Sequence, residues 1–307
     1  PFFVIADYLA RNGIASLRYD DRDFDRYVSG KQINSNVTTQ DYKRDAHAGI
    51  NFLRKTKNFG NIGVIGHSEG GNIAFMLATE KLADFIISMA AIGVKADSAL
   101  TAQVNKIIEL QGRKTIKMSV EQYRYNVSTL NNTWLNWFIN YNPTKDIVET
   151  RCPVMAINGE KDCQVICDLN LKSIEEILPK HKDNFIKAYP NLNHLFQHCQ
   201  TGLPNEYSTI EETISPEVLN DITKWIPRLL ESYYPSKRNV STFSNRDLRR
   251  DIQPFLILNV ILQSLSYPCE IIIGSSSFTI LMTWFIKGYS KKNVTSSSIV
   301  FSIISAA

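Results

Sequence analysis

The chain has 307 residues, of which 44% are apolar, 21% charged and 10% aromatic, a composition that excludes collagen-like, mucin-like and wholly disordered proteins. The five cysteines (Cys152, Cys163, Cys167, Cys199, Cys269) are too few and too scattered for a disulfide scaffold. The net charge of +4 sits entirely in residues 231–307, which hold eight Lys/Arg against four Asp/Glu; residues 1–230 carry 26 of each sign and show no general attraction for nucleic acid.

Residues 1–12 read as a helix: Phe2, Phe3, Ile5, Ala6 and Leu9 form an apolar face, and Asn12-Gly13 stops it. Pro1 suits a helical first turn, and no initiator Met or basic leader precedes the apolar run, so the reading is a helix whose preceding elements are lost. Ile14–Tyr19 follows as a buried strand. Thr39–Lys55 is a helix with Thr39 as its expected N-cap and Tyr42, Ala46, Ile50 and Leu53 on one face. Strands are then expected at Asn61–Gly66, Phe85–Ala91, Pro153–Ile157 and Asn184–Tyr189, and helices at Gly71–Glu80, Cys167–Leu178 and Pro216–Leu230. Strands alternating with helices of this length define an α/β protein with a mostly parallel sheet and helices on both faces.

Two stretches depart from that rhythm. Residues 97–145 are helix-like, polar and aromatic, with Trp134 and Trp137 three apart, and lie between two strands. They are expected to form a helical cap at the strand ends, where such sheets bind ligands. Beyond Leu230 the chain turns polar and basic, then carries the apolar runs 255–262 and 271–286. Neither reaches the ~20 apolar residues of a membrane span. The expected organisation is a catalytic domain over residues 1–230, interrupted by the cap 97–145, and a tail over 231–307 that makes few contacts with it. A weak membrane contact through 271–286 is a secondary expectation. With no leader to read, the compartment stays open between cytoplasm and periplasm.

Chemistry concentrates in Gly66-His67-Ser68-Glu69-Gly70, a G-x-S-x-G between an expected strand and an expected helix. This pattern places a serine on a sharp strand-to-helix turn, lifts its hydroxyl above the sheet, and turns the next backbone N–H, that of Glu69, toward developing negative charge. A serine needs a base to take its proton, and the base needs an orienting acid. Downstream histidines are His181, His194 and His198. His194, in the loop after the strand Asn184–Tyr189, is the expected base, with His198 as fallback and His181 in a solvated charged run. Asp162, directly after the strand Pro153–Ile157, is the expected acid, with Glu160 and Asp168 as alternatives. His67 is read as structural, lying under the turn.

These residues resemble the bacterial α/β-hydrolase esterases of the dienelactone-hydrolase-like group. The resemblance runs through Ile5-Ala6-Asp7-Tyr8-Leu9, Leu17 to Arg22, Gly66 to Gly71, Asn158 to Asp162, Leu192 to Gln197 and Glu206-Tyr207 to Trp225, over roughly residues 1–230. It implies an α/β-hydrolase fold, with Ser68, Asp162 and His194 as nucleophile, acid and base. It also implies hydrolysis of carboxylic esters, typically with short acyl chains, and no cofactor. The partner implied is a small-molecule ester. Three departures stand out: Asp23 replaces a glycine, the tail has no counterpart, and in the family further strands and a second oxyanion N–H precede the position of Pro1. A truncated, non-catalytic hydrolase-fold protein is therefore the first rival. A peptidase or thioesterase using the same three residues is the second. A metal site at Cys163, Cys167, His194 and His198 is the weakest rival, since neither a C-x₂-C knuckle nor H-E-x-x-H is present.

Overall fold

A computed structural model describes residues 2–20, 22, 29, 36–56, 59–113, 117–233, 256–260, 269–272 and 279–282. Helix α1 (Phe2–Arg11) leads into the short strand β1 (Ala15–Leu17), then α2 (Thr39–Thr56), β2 (Ile62–His67), α3 (Glu69–Thr79) and β3 (Phe85–Met89). Four helices follow before the next strand: α4 (Ala96–Leu110), α5 (Val120–Ser128), α6 (Thr133–Phe138) and α7 (Thr144–Glu149). The chain continues as β4 (Val154–Gly159), α8 (Cys167–Ile177), β5 (Phe185–Tyr189), a 3-10 turn at Pro204–Thr209 and α9 (Pro216–Tyr233). Three further strands lie beyond: β6 (Leu256–Val260), β7 (Cys269–Ile272) and β8 (Thr279–Met282).

Six strands form one sheet in the order β1-β6-β2-β3-β4-β5, and every pairing in it is parallel. Alternate side chains of the central strands point to opposite faces, and each face needs a helical cover. Val64, Ile86, Val154 and Ala156 join the core under α2, α3 and α8, where Ile50, Phe75 and Ile174 are buried. Ile65, Phe85, Ile87, Met155 and Ile157 join the core under α1 and α9. There Phe85 meets Trp225 edge-on at 5.8 Å between ring centroids. Each fully buried side chain of this size adds about 1.5–3 kcal/mol.

Local signals explain where the helices start. Helix α2 begins at Thr39, so the cap position falls on Thr38, one residue before the one expected. The Thr38 N–H donates to Asp41 Oδ2 at 2.8 Å, closing the first turn. The Thr39 hydroxyl is turned inward to Glu69 instead. Helix α5 has a full capping box between Ser119 and Gln122, and α6 is capped by Asn132, whose side chain accepts from the Leu135 N–H at 2.8 Å.

The helical insertion expected over 97–145 is present as α4 to α7. It has its own small core of Val104, Tyr123, Val127, Leu135 and Ile139. Phe138, Tyr141 and Ile147 join it to the main core.

The stretch expected as a tail contributes β6 to the middle of the sheet. Leu258 lies opposite Leu17 on one side and Val64 on the other, so this strand separates β1 from β2. Of the run 271–286, the described parts are β7 residues up to Ile272 and β8, which pair antiparallel in a separate two-stranded sheet. No helix among the described residues is long and apolar enough to cross a membrane. The rest of that run, the basic segment 234–250 and the loop around Asp23 lie outside the described residues.

Candidate active site

Parallel strands end on one common edge. Ser68 directly follows β2, Asp162 lies three residues past the end of β4, and His194 lies five past the end of β5. The topology therefore collects the three expected residues along the C-terminal edge of the sheet.

Ser68 is held at φ 56° and ψ −122°, a left-handed conformation that costs a non-glycine residue free energy and marks a turn fixed by its surroundings. Its N–H donates to Met89 O at 2.8 Å, and its carbonyl accepts from the Gly71 N–H at 2.9 Å. The turn is tight enough that a Cβ on Gly66 would stand 1.9 Å from the Gly70 carbonyl oxygen. Ser68 occupies the N-cap of α3, yet its hydroxyl makes no capping hydrogen bond and so is not consumed by the helix. The first N–H groups of a helix have no intrahelical acceptor, which leaves the Glu69 N–H for a ligand at the positive end of α3.

Asp162 and His194 are joined. His194 Nδ1 lies 2.7 Å from Asp162 Oδ2, with Asp162 3% and His194 4% exposed. The other carboxylate oxygen, Oδ1, accepts the N–H groups of Gln164 and Val165, each at 2.8 Å. A carboxylate held this way can orient an imidazole: when Nδ1–H donates to it, the free lone pair of a neutral ring lies on Nε2.

Both loops are braced against each other. Lys161 N–H donates to Leu192 O at 3.0 Å, and a Cβ on Gly159 would stand 2.3 Å from that same carbonyl oxygen. Inside the histidine loop, Asn193 is completely buried; its Oδ1 accepts from Leu195 N–H at 2.9 Å and Gln197 N–H at 3.0 Å. Its Nδ2 donates to Gln197 Oε1 at 3.0 Å. Tyr207, from the 3-10 turn, has a hydroxyl facing Asp162 and the His194 backbone, and burial raises its pKa well above 10.

His67 faces His194 rather than solvent. Its Nε2 lies 2.7 Å from the His194 carbonyl oxygen, and the two rings stand 4.6 Å apart. Burial, with His194 close by, pushes the His67 pKa down to about 3. His67 is therefore neutral at physiological pH, donates its Nε2 proton to that carbonyl, and places no positive charge beside His194.

The remaining residues weighed as alternatives are placed elsewhere. His198 is exposed and pairs with Glu212 at 2.9 Å. The Asp168 side chain is 85% exposed against Lys172, and Glu160 is exposed. His181 Nδ1 accepts the Asp183 N–H at 3.1 Å. Among the described residues, no group of three or more His, Cys, Asp or Glu side chains is arranged to hold a metal ion. Burial pushes the thiols of Cys163 and Cys167 up to about 12, so both are neutral.

Sequence reasoning missed the Glu69 side chain, Asn193 and Tyr207. Glu69 is buried, with Oε1 accepting from Thr39 Oγ1 and, at 2.8 Å, from Trp134 Nε1. An acidic residue in a helical first turn ordinarily faces water, and nothing in its local sequence says otherwise.

A parallel sheet covered on both faces, with a strained serine turn after one central strand and an Asp–His pair after two later ones, defines the class: this chain has the α/β-hydrolase fold. Residues 2–140 match the family model described as serine aminopeptidase, S33. No curated protein matches the chain at a significant level. Among solved structures, the chain is similar to Est1E of Butyrivibrio proteoclasticus, solved with ferulic acid bound, at 13% identity and a TM-score of 0.47, covering 75% of this chain and 81% of that one. It is also similar to the esterase domain of a Rhodothermus marinus protein, at 14% identity and a TM-score of 0.42, covering 76% and 80% respectively. A third is the monoacylglycerol lipase of Paleococcus ferrophilus, at 13% identity and a TM-score of 0.41, covering 64% and 77%.

Proposed function

We propose that this protein is a serine hydrolase of carboxylic esters, with Ser68 as nucleophile, His194 as general base, Asp162 as its orienting acid and the Glu69 N–H as an oxyanion donor. The observation that carries the reading is the buried 2.7 Å bond between His194 Nδ1 and Asp162 Oδ2 on the same sheet edge as the strained Ser68 turn. In this reading His194 Nε2 takes the Ser68 proton as Oγ bonds to the ester carbonyl carbon. The carbonyl oxygen becomes an oxyanion facing the Glu69 N–H. Collapse of that adduct breaks the C–O bond, and His194 returns the proton to the departing alcohol. Water, deprotonated by the same nitrogen, then releases the acid from the acyl-enzyme. Asp162, bonded to Nδ1, stabilises the transient imidazolium. Short acyl chains are the preference that the family resemblance implies.

The test is covalent. A fluorophosphonate probe should label the wild-type chain at Ser68 and leave Ser68→Ala unlabelled, with p-nitrophenyl acetate hydrolysis lost in parallel. Equal labelling of both proteins would remove Ser68 from the mechanism. Absent labelling of the wild type would favour a non-catalytic hydrolase fold.

A second reading, an aminopeptidase on the same three residues, is favoured by the family model over residues 2–140. Turnover of aminoacyl p-nitroanilides exceeding that of p-nitrophenyl esters would select it.

A further inference from the structure

Glu69 supplies more to this site than a backbone N–H. Its carboxyl is buried, and one oxygen joins two elements from different parts of the chain. Thr39 Oγ1, at the start of α2, donates to Oε1, and Thr39 is itself completely buried. Trp134 Nε1, on α6 of the helical insertion, donates to the same oxygen at 2.8 Å. The Trp134 ring is stacked on Phe138 with centroids 5.0 Å apart, and Phe138 is part of the main core. One carboxyl thus meets the nucleophile turn, the helix beside it and the insertion.

We propose that Glu69 is a positioning residue whose carboxyl ties α6 of the helical insertion, and α2, to the turn that carries Ser68, and so sets which acyl or alcohol groups reach that serine. This rests on the reading of Ser68 as the nucleophile. A buried indole N–H without an acceptor is costly, and its bond to an ionised carboxylate is about twice as strong as to a neutral group. The tie is therefore firmest when Glu69 is charged. Desolvation raises the Glu69 pKa to about 6, although both hydrogen bonds pull it down. The groups facing the carboxyl are Thr39 from α2, Trp134 from α6 and, after α6, Tyr141, which feels its charge. Behind them the Tyr141 hydroxyl donates to Asp146 Oδ2 of α7 at 2.9 Å, and Lys43 of α2 pairs with Glu80. The insertion is thus held by a bond that weakens as pH falls through 6.

The experiment uses the full chain and three variants. The Trp134 fluorescence contribution, taken as wild type minus Trp134→Phe, should titrate with a midpoint near pH 6, and no such step should remain in Glu69→Gln, which keeps an acceptor oxygen but cannot ionise. At pH 8, Glu69→Ala and Trp134→Phe should each change the ratio of kcat/KM for hexanoyl over acetyl p-nitrophenyl esters by about tenfold, the equivalent of one lost charged hydrogen bond. Glu69→Gln should hold one ratio from pH 5 to pH 8. A pH step that survives in Glu69→Gln, or unchanged selectivity in Trp134→Phe, would overturn the proposal. Should Glu69→Ala fail to fold, the other two variants decide. The fluorescence titration needs no turnover, so it judges the tie separately from the labelling of Ser68, which judges the nucleophile.

Discussion

His194 and Asp162, 32 residues apart in the chain, share a 2.7 Å hydrogen bond in a place almost closed to water. At that depth the bond fixes the imidazole tautomer, and the tautomer decides whether Nε2 can act as a base. Asp162→Asn would keep the size and the Gln164 and Val165 bonds to Oδ1. It would also offer an N–H where His194 needs an acceptor, which favours the wrong tautomer. The expected result is a fall in kcat of about 10⁴ with an unchanged circular-dichroism spectrum. A loss below tenfold would show that the pair is structural only.

Gly66 lies where the sheet meets α3. A methyl group there would stand 1.9 Å from the oxygen and 2.2 Å from the carbon of the Gly70 carbonyl, both backbone atoms that cannot rotate away. Gly66→Ala should cost about 3 kcal/mol or more, through displacement of the turn. Chemical denaturation would measure it, and an unchanged midpoint would contradict the close approach.

Burial of Glu69 also predicts how stability depends on pH. Its folded pKa, about 6, lies above its ordinary 4.5, so the folded state binds this proton more tightly than the unfolded chain. The contribution is fully present below pH 4.5 and is lost as pH rises through 6. A shift of this size is worth about 2 kcal/mol. Relative to Glu69→Gln, the wild type should therefore lose about that much stability between pH 4.5 and pH 7, read by urea unfolding at a series of pH values. Parallel curves for the two proteins would refute a raised pKa.

A chain ending at Tyr233 would lack β6, the strand between β1 and β2. Its backbone pairs with residues 15–17 on one side and 62–66 on the other. Without it, the facing edges of β1 and β2 lose their ladder partners, and Tm should fall by roughly 10 °C or more. If the shortened protein melts with the full chain, β6 adds nothing and residues 1–230 stand alone, as the sequence reading expected.

Much of this was legible before any coordinates. All five strands expected within residues 1–230 are present, and the helix expected at 71–80 starts two residues earlier, directly after Ser68. Continuous apolar runs and 3.6-residue periodicity record local burial, and β2, β3 and β4 are buried almost throughout. By contrast β1, expected as a buried strand, and β5 lie at the two edges of the sheet and are mostly half-buried, and Phe3 of the expected α1 face is exposed. The pentamer around Ser68 was readable for a similar reason: its glycines answer a clash within six residues of chain. The chain order Ser, Asp, His is the one the α/β-hydrolase pattern implies, and the sheet order lays the three residues out in that sequence along its edge.

Other features belong to tertiary structure. Leu256–Val260 is a short apolar run that could be a strand or a piece of helix, and only its neighbours on both sides make it a strand. Thr39 reads as a cap because Ser and Thr favour caps, yet its hydroxyl faces a carboxyl 30 residues away. Glu69 and Trp134 are 65 residues apart, and nothing in either segment pairs the carboxyl of one with the indole of the other. Local sequence determines which conformation a segment prefers, because propensity and periodicity act over one or two turns. Which polar group finds which partner is decided only when the core closes, because desolvation then leaves each buried donor or acceptor to the few groups within reach.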